Sequence, residues 1–326
     1  MNKQITLRDE ITINGKLFKL SLEYVLGFFE GDGSITIQLK PNSTHKTGKQ
    51  VVLIFEIHQH AIDIDLLKAI SLFLGCGKVE IGRKIGEPES WVYRLRISTQ
   101  TEILKILLPI FRSQSMVFKK RNHDLILFIR ACLLVEDKKH TNMEGQKEIA
   151  EIASKLSSKL SLDEKFKLPD THKELNADWV TGITDAEGNF SFSIYTPKLK
   201  YKKKEVIFRF SIAQESSEIT FLNDLVKFFG CGNVHTDKEG GGVFTVNKKE
   251  DLKNKIIPFF ELNELQSTKQ NSFLRFKKAL YICINNKPLL PNHFEELNAI
   301  YSDFTGKRPD QNVLILKQCK KIIQNI

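Results

Sequence analysis

The chain is poor in cysteine, has no long apolar run and carries no excess of acid. Its 326 residues include five cysteines, an odd number without close pairs, which argues against a disulfide framework and for a reducing compartment. No Cys-x-x-Cys occurs, so neither a zinc ribbon nor a thioredoxin-type site is suggested. The longest apolar run, Leu125 to Val135, is interrupted by Arg130 and is too short to span a bilayer. Residues 1–10 are polar and no apolar stretch follows, so no secretory signal is expected, nor is a strongly Arg- and Ser-rich transit peptide evident. What the chain does have is base: 49 Lys and Arg against 39 Asp and Glu, a net charge of +10. Hydrophobic residues make up 41% and charged residues 27%, the composition of a folded globular protein. The positive balance suggests a polyanionic partner, either nucleic acid or an anionic membrane surface.

One stretch occurs twice. Val25-Leu26-Gly27-Phe28-Phe29-Glu30-Gly31-Asp32-Gly33 returns as Val180-Thr181-Gly182-Ile183-Thr184-Asp185-Ala186-Glu187-Gly188. Each copy is a short apolar helix pattern ending in an acid and a glycine. The offset of 155 also relates Phe55 to Phe210, Gln59 to Gln214 and Cys76 to Cys231. Phe73-Leu74-Gly75-Cys76-Gly77-Lys78-Val79 matches Phe228-Phe229-Gly230-Cys231-Gly232-Asn233-Val234 too closely for composition to explain. Further on the offset is 149, relating Pro109 to Pro258 and Lys120 to Lys269. The second half has therefore lost six residues, most simply at the loop where the first has Ile85-Gly86-Glu87-Pro88.

Residues 5–20 read as a hairpin turning at Asn14-Gly15. Ser21 should cap a helix from Leu22 that ends near Gly31, with Gly33 supplying a left-handed exit. Strands are expected over 34–40, 51–59, 78–83 and 91–98, and helices over 64–74, 102–111 and from Lys119 to Leu134. Residues 136–147 read as a charged loop, followed by an amphipathic helix carrying Ile149, Ile152, Ala153, Leu156 and Leu160. Trp91 and Trp179 read as core anchors. The polar segment 161–176, which carries Pro169, reads as a linker, after which the pattern restarts. The expected class is α+β. Its parts are an N-terminal hairpin extension (1–20), a first half (21–160), the linker, a second half (177–305) and a tail (306–326).

Gly27 and Gly31 are four apart, as are Gly182 and Ala186, so each helix carries a face of small residues on which the other can pack closely. A pseudo-two-fold pair would then bring Asp32 and Glu187 together at two helix C-termini. Backbone carbonyls there are unpaired and the dipole is negative. Two carboxylates suit that place only if a cation joins them. A hard divalent ion, Mg²⁺ in the first instance, fits such an oxygen site and suits hydrolysis of a phosphodiester.

Both copies resemble the LAGLIDADG motif, and residues 22–304 resemble a single-chain, two-repeat LAGLIDADG homing endonuclease. The resemblance implies two pseudo-symmetric αββαββα halves joined at paired motif helices, with antiparallel sheets forming a DNA-binding saddle. It implies metal-dependent cleavage of both DNA strands with short 3′ overhangs, Mg²⁺ as cofactor, and Mn²⁺ or a non-catalytic Ca²⁺ as alternative occupants. The metal acids fall on Asp32 and Glu187, with the carbonyls of Gly31 and Ala186 also reaching metal. The family's basic residue near the scissile phosphate falls on Lys269 and on Lys120, with Lys119 an alternative in the first half. Gln59 and Gln214 match a polar position that orients solvent; the competing reading is a pair of ordinary solvent-facing glutamines. An intron-encoded, organellar monomer is implied.

The strand alternation assigns a reading face. Ser34, Thr36, Gln38 and Lys40 face away from a core made by Ile35, Ile37 and Leu39; Asn189, Ser191, Ser193 and Tyr195 do the same opposite Phe190, Phe192 and Ile194. Polar strands of this kind suit major-groove base edges, and Arg83, Arg94, Arg96 and Arg209 are candidates for guanine or phosphate contacts. A strand of about eight residues spans roughly 26 Å, or about eight base pairs per half. Lys198, Lys200, Lys202, Lys203 and Lys204 read as a phosphate-contacting tip, with a nuclear localisation signal as rival. The rival to an endonuclease is a non-cleaving protein, either a DNA-binding regulator or a maturase on group I intron RNA.

Overall fold

The computed structural model describes residues 9–171, 173–195, 204–237 and 240–306. The chain opens with a hairpin, β1 (Asp9–Ile13) and β2 (Lys16–Leu20). Its turn holds Asn14 and Gly15 at φ 51° and 80°, as an Asn-Gly type I′ turn requires. Ser21 then caps α1 (Leu22–Asp32), its side chain accepting from the Tyr24 amide at 3.1 Å. The first half continues through β3 (Gly33–Pro41), β4 (Lys49–His60), α2 (Ile64–Leu74), β5 (Lys78–Arg83) and β6 (Val92–Ile97). Two short pieces, α3 (Gln100–Glu102) and α4 (Leu108–Phe111), flank a π-turn, and α5 (Lys119–Glu136) and α6 (Met143–Ser154) follow. A short α7 (Leu162–Phe166) leads to α8 (Ala177–Glu187), and the order repeats. The second half has β7 (Gly188–Tyr195), β8 (Glu205–Glu215), α9 (Ile219–Phe229), β9 (Asn233–Thr236), β10 (Gly241–Val246), α10 (Lys249–Asp251), α11 (Ile257–Leu262), α12 (Lys269–Asn285) and α13 (Pro291–Gly306).

Each half builds one antiparallel four-stranded sheet, ordered β3-β4-β6-β5 in the first and β7-β8-β10-β9 in the second. The period-2 pattern decides which face is dry. Ile35 and Ile37 are buried while Ser34, Thr36 and Gln38 are half-buried; Phe190 and Phe192 are buried while Ser193 and Tyr195 are exposed. The inner faces stack aromatics against the helices, with Phe29 on Phe55 at 4.2 Å and Phe190 on Phe210 at 4.9 Å. Residues 78 and 233 open equivalent strands, and so do residues 92 and 241. The six lost residues therefore fall between the third and fourth strands.

The small faces of α1 and α8 meet backbone to backbone. A Cβ on Gly27 would lie 2.2 Å from the Trp179 carbonyl oxygen, and one on Gly182 would lie 2.1 Å from that of Tyr24. Tyr24 and Trp179 are themselves equivalent residues, so the contact is a pseudo-two-fold. One on Gly31 would come within 2.5 Å of the Ala186 methyl. The pair accommodates a single methyl at this crossing, which is why one copy has Ala and the other Gly.

Three sequence expectations change. Gly33 is extended (φ −92°, ψ 165°), and its lack of a Cβ serves sterics: one would stand 2.0 Å from the Phe29 ring. The charged segment 136–147 is not all loop, because Asn142 caps α6, which begins at Met143 and ends before Leu156 and Leu160. Only Trp179 is a core anchor. Trp91 is half-exposed beside the β5–β6 loop, donating to the Gly86 carbonyl at 3.3 Å with Lys84 over its ring.

Candidate active site

The site grows from the two helix ends. Asp32 and Glu187 are the last residues of α1 and α8, half-buried where the crossed helices turn into the first strand of each sheet. They are close enough to interact: burial first, and then the Glu187 charge, push the Asp32 carboxyl up to about 7, against the pull of Lys269 and Arg121. Gln59, at the end of β4, donates to Asp32 Oδ2. The equivalent Gln214, at the end of β8, donates to Glu187 Oε1 at 3.1 Å.

Two lysines lie beside this pair, both on the α8 side. Lys269 Nζ donates to the Thr184 and Ala186 carbonyls at 3.0 and 3.1 Å, capping α8. Its burial lowers its pKa, while Asp185, Asp32 and Glu187 oppose the shift. Lys120 takes a different path across the pseudo-two-fold. Its Nζ donates to Gln214 Oε1 at 3.4 Å and stands 3.9 Å from Glu215. Burial and the adjacent Arg121 lower its pKa. Lys119 points elsewhere, donating to the Phe166 carbonyl at 3.1 Å and lying 3.7 Å from Asp170. It pins the segment before α8, whereas Lys120 faces the Glu187 end.

Sequence reasoning missed the groups that hold these lysines. Glu30, buried in α1, accepts from the Val117 and Phe118 amides at 3.0 and 2.6 Å and from Trp179 Nε1 at 2.8 Å. Asp185, its equivalent in α8, accepts from the Gln266 and Ser267 amides at 2.6 and 3.2 Å and from the Tyr24 hydroxyl at 2.8 Å. Burial raises both carboxyls, Glu30 to about 7. A second pair caps the lysine helices from the opposite half. Glu218 accepts from the Lys119 and Lys120 amides at 3.0 and 3.1 Å, and Asp63 accepts from the Thr268 amide at 2.7 Å. An acid at a helix N-terminus complements the unpaired amides and the dipole. The 155 offset relates Glu30 to Asp185 and Asp63 to Glu218, so the repeat itself carried the signal. Arg121 was also missed, and no repeat signals it, because Gln270 stands at its equivalent. Its guanidinium donates to the Glu30 carbonyl at 3.0 Å and reaches that of Gly31 at 3.5 Å.

The donors around Asp32 and Glu187 are carboxylate, amide and main-chain oxygens, the set a hard divalent cation prefers. A carboxyl raised by burial and by the charge of its neighbour, in a half-buried place, fits a cation between the two acids. Among the described residues no group of three or more His, Cys, Asp or Glu forms a metal cage, so a site here relies on the two acids, carbonyls and water.

On the outer face of the first sheet, Arg96 donates to Glu56 Oε1 at 2.5 Å, and Arg94 bonds Glu80 at 2.7 Å and lies 3.3 Å from Glu56. Arg83 and Lys40 are exposed on the same sheet. In the second half the positions of Glu56, Arg94 and Arg96 are Ser211, Val243 and Thr245, and Arg209 pairs in register with Ser191. Lys200 and its neighbours Lys198, Lys202 and Lys203 lie outside the described residues; Lys204 stands exposed just before β8.

The family described as LAGLIDADG endonuclease matches residues 25–132 and 180–280. The chain is 31% identical over 290 residues to "Probable intron-encoded endonuclease 2" of Neurospora crassa, a match covering 82% of this chain and 61% of that protein. It is 27% identical over 230 residues to "Probable intron-encoded endonuclease Cox1-I1b" of Schizosaccharomyces pombe, covering 60% of this chain and 56% of the relative. The chain thus spans less than two thirds of these relatives. The crystal structure of the I-SmaMI LAGLIDADG homing endonuclease bound to cleaved DNA superposes with a TM-score of 0.77 at 25% identity, covering 87% of this chain and 96% of that one.

Proposed function

The chain belongs to the LAGLIDADG endonuclease family, and from that premise we propose that it is a site-specific homing endonuclease making a metal-dependent double-strand break in a long, asymmetric DNA target. The observation that carries this is the joining of Asp32 and Glu187 at two crossed helix ends, each acid with its own glutamine, with Arg121 at the α1 carbonyls, Lys269 at the α8 carbonyls and Lys120 at Gln214. In this reading Asp32 and Glu187, with the carbonyls of Gly31 and Ala186, hold divalent ions, Mg²⁺ being the working one. When bound, such an ion neutralises charge on the attacked phosphate and acidifies water. Gln59 and Gln214 orient the acids and solvent. Lys120 and Lys269 stabilise charge developing on the phosphate or leaving oxygen. The position of Lys120 beside Gln214 favours it over Lys119 for this role.

Ser34, Thr36, Gln38, Lys40, Arg83, Arg94, Arg96, Asn189, Ser191, Ser193, Tyr195, Lys200 and Arg209 contact DNA, with the polar strand faces in the major groove. Both halves lie in one chain, which supports a monomer as the working unit, with 161–176 as the joint between halves. No helix of the described residues is long and apolar enough to cross a membrane. The intron-encoded relatives support an organellar location. The test is Mg²⁺-dependent cleavage of duplex DNA carrying the sequence that flanks the gene's own intron, with binding of the intron RNA measured alongside. Cleavage at one site, lost on chelation, is expected. Intron RNA binding without cleavage would establish the maturase alternative.

A further inference from the structure

Two segments outside the paired αββαββα units reach the loops that deliver the lysines, and they do so at equivalent atoms. The loop before α5 offers its Val117 and Phe118 amides to Glu30 on one side. On the other, the Val117 carbonyl accepts from Thr171 Oγ1 at 2.5 Å. Thr171 belongs to the segment ahead of α8. The loop before α12 offers its Gln266 and Ser267 amides to Asp185. The Gln266 carbonyl, which the 149 offset makes the equivalent of that of Val117, accepts from Lys16 Nζ at 2.5 Å. Lys16 lies in β2, in the hairpin ahead of α1. Gln266 Oε1 also accepts from the Lys19 amide at 2.9 Å, and Asn14 holds the hairpin turn to Asp65 at 3.0 Å. Each leading segment therefore grips the lysine loop of the opposite half.

We propose that the β1–β2 hairpin is a positioning element for Lys269 and the segment around Thr171 one for Lys120, so that each cleavage centre has its own independent brace. This rests on the endonuclease reading for its consequence, though not for its geometry. A loop held on both faces has little freedom. Releasing one face lets the ammonium drift from the place where charge develops, and displacements of about 1 Å matter greatly to rate.

The experiment compares Lys16→Met and Thr171→Val with wild-type protein, with Lys16→Arg and Thr171→Ser as rescue variants. Single-turnover cleavage is followed separately on each DNA strand. Lys16→Met should slow one strand roughly threefold to tenfold, the strand also slowed by Lys269→Ala. Thr171→Val should slow the other strand, the one slowed by Lys120→Ala, and the rescue variants should recover most of the rate. Amide hydrogen exchange gives a readout that needs no cleavage: Lys16→Met should speed exchange at residues 265–268 and leave 117–120 unchanged, with Thr171→Val doing the reverse. Equal slowing of both strands by either variant, or unchanged exchange at both loops, overturns the proposal. A wild-type protein that cuts no DNA sinks the endonuclease reading instead, and the exchange experiment still decides whether the braces exist.

Discussion

In the first half, the carbonyls at the end of α1 are capped by Arg121; in the second half, those at the end of α8 are capped by Lys269. The two cations are not equivalent residues. Lys120, the true counterpart of Lys269, is freed by Arg121 to cross the pseudo-two-fold and meet Gln214. With an arginine at the α1 carbonyls, both lysines stand on the α8 side. The outer sheet faces differ in the same way. The first carries an interlocked set of Glu56, Glu80, Arg94 and Arg96, and the second has Ser211, Val243 and Thr245 where three of these stand. A repeat conserves the scaffold of a site while leaving each copy free to change the groups that line it.

The strongest way to test this asymmetry is to remove the acids one at a time. Asp32→Asn and Glu187→Gln should each lower double-strand cleavage by at least about a hundredfold, as loss of a principal charge-stabilising group does, while a gel-shift assay still detects DNA binding. If one variant keeps the wild-type rate on both strands, the shared-metal arrangement fails.

The lysines come next. Lys120→Ala and Lys269→Ala should each lower the rate of one strand by roughly tenfold to a hundredfold, and the two variants should spare opposite strands. Arg121→Gln restores the second half's residue at that place. It should shift the penalty of Lys120→Ala, because Lys120 can then turn to the α1 carbonyls. Strand-labelled nicking assays read both effects.

The helix crossing supplies a stability test. Gly31→Ala should destabilise the fold by about 1–3 kcal/mol, the usual cost of overpacking, since its methyl meets that of Ala186. Ala186→Gly in the same chain should recover most of the loss, measured by denaturant unfolding. A double variant no more stable than Gly31→Ala would mean that this crossing does not set the Gly/Ala asymmetry.

The smallest effect is expected on the reading face. Arg96→Ala should weaken DNA binding by about 1 kcal/mol and lower the salt slope if Arg96 meets phosphate. Thr245→Ala, at the equivalent place, should leave the slope unchanged. Equal slopes for the two variants would remove the contrast between the faces.

Much of the architecture was legible because it is local or repeated. The period-2 strands, the Asn14-Gly15 turn and the lost residues between the third and fourth strands all leave marks along the chain. The misreadings came where local composition is a poor guide. A charged segment hid the start of α6, because helix formation there follows from the Asn142 cap and from packing of Ile149 and Ile152. Trp91 looked like core because it is large and apolar, yet it sits on an extended loop that the second half lacks.

By itself, the sequence determined the repeat, the crossing of two helices on small residues and the identity of the paired acids, because each depends on spacing within one short segment. Only the tertiary structure decided that Lys269 reaches the α8 carbonyls and Lys120 reaches Gln214, and that Glu30, Asp185, Asp63 and Glu218 brace the lysine loops. Those outcomes depend on atoms roughly a hundred or more residues apart in the chain. Their energies come from burial and charge in a shared interior, which no single segment contains. Asp32 and Glu187 could be named from the repeat; their unlike surroundings exist only once the two halves close on each other.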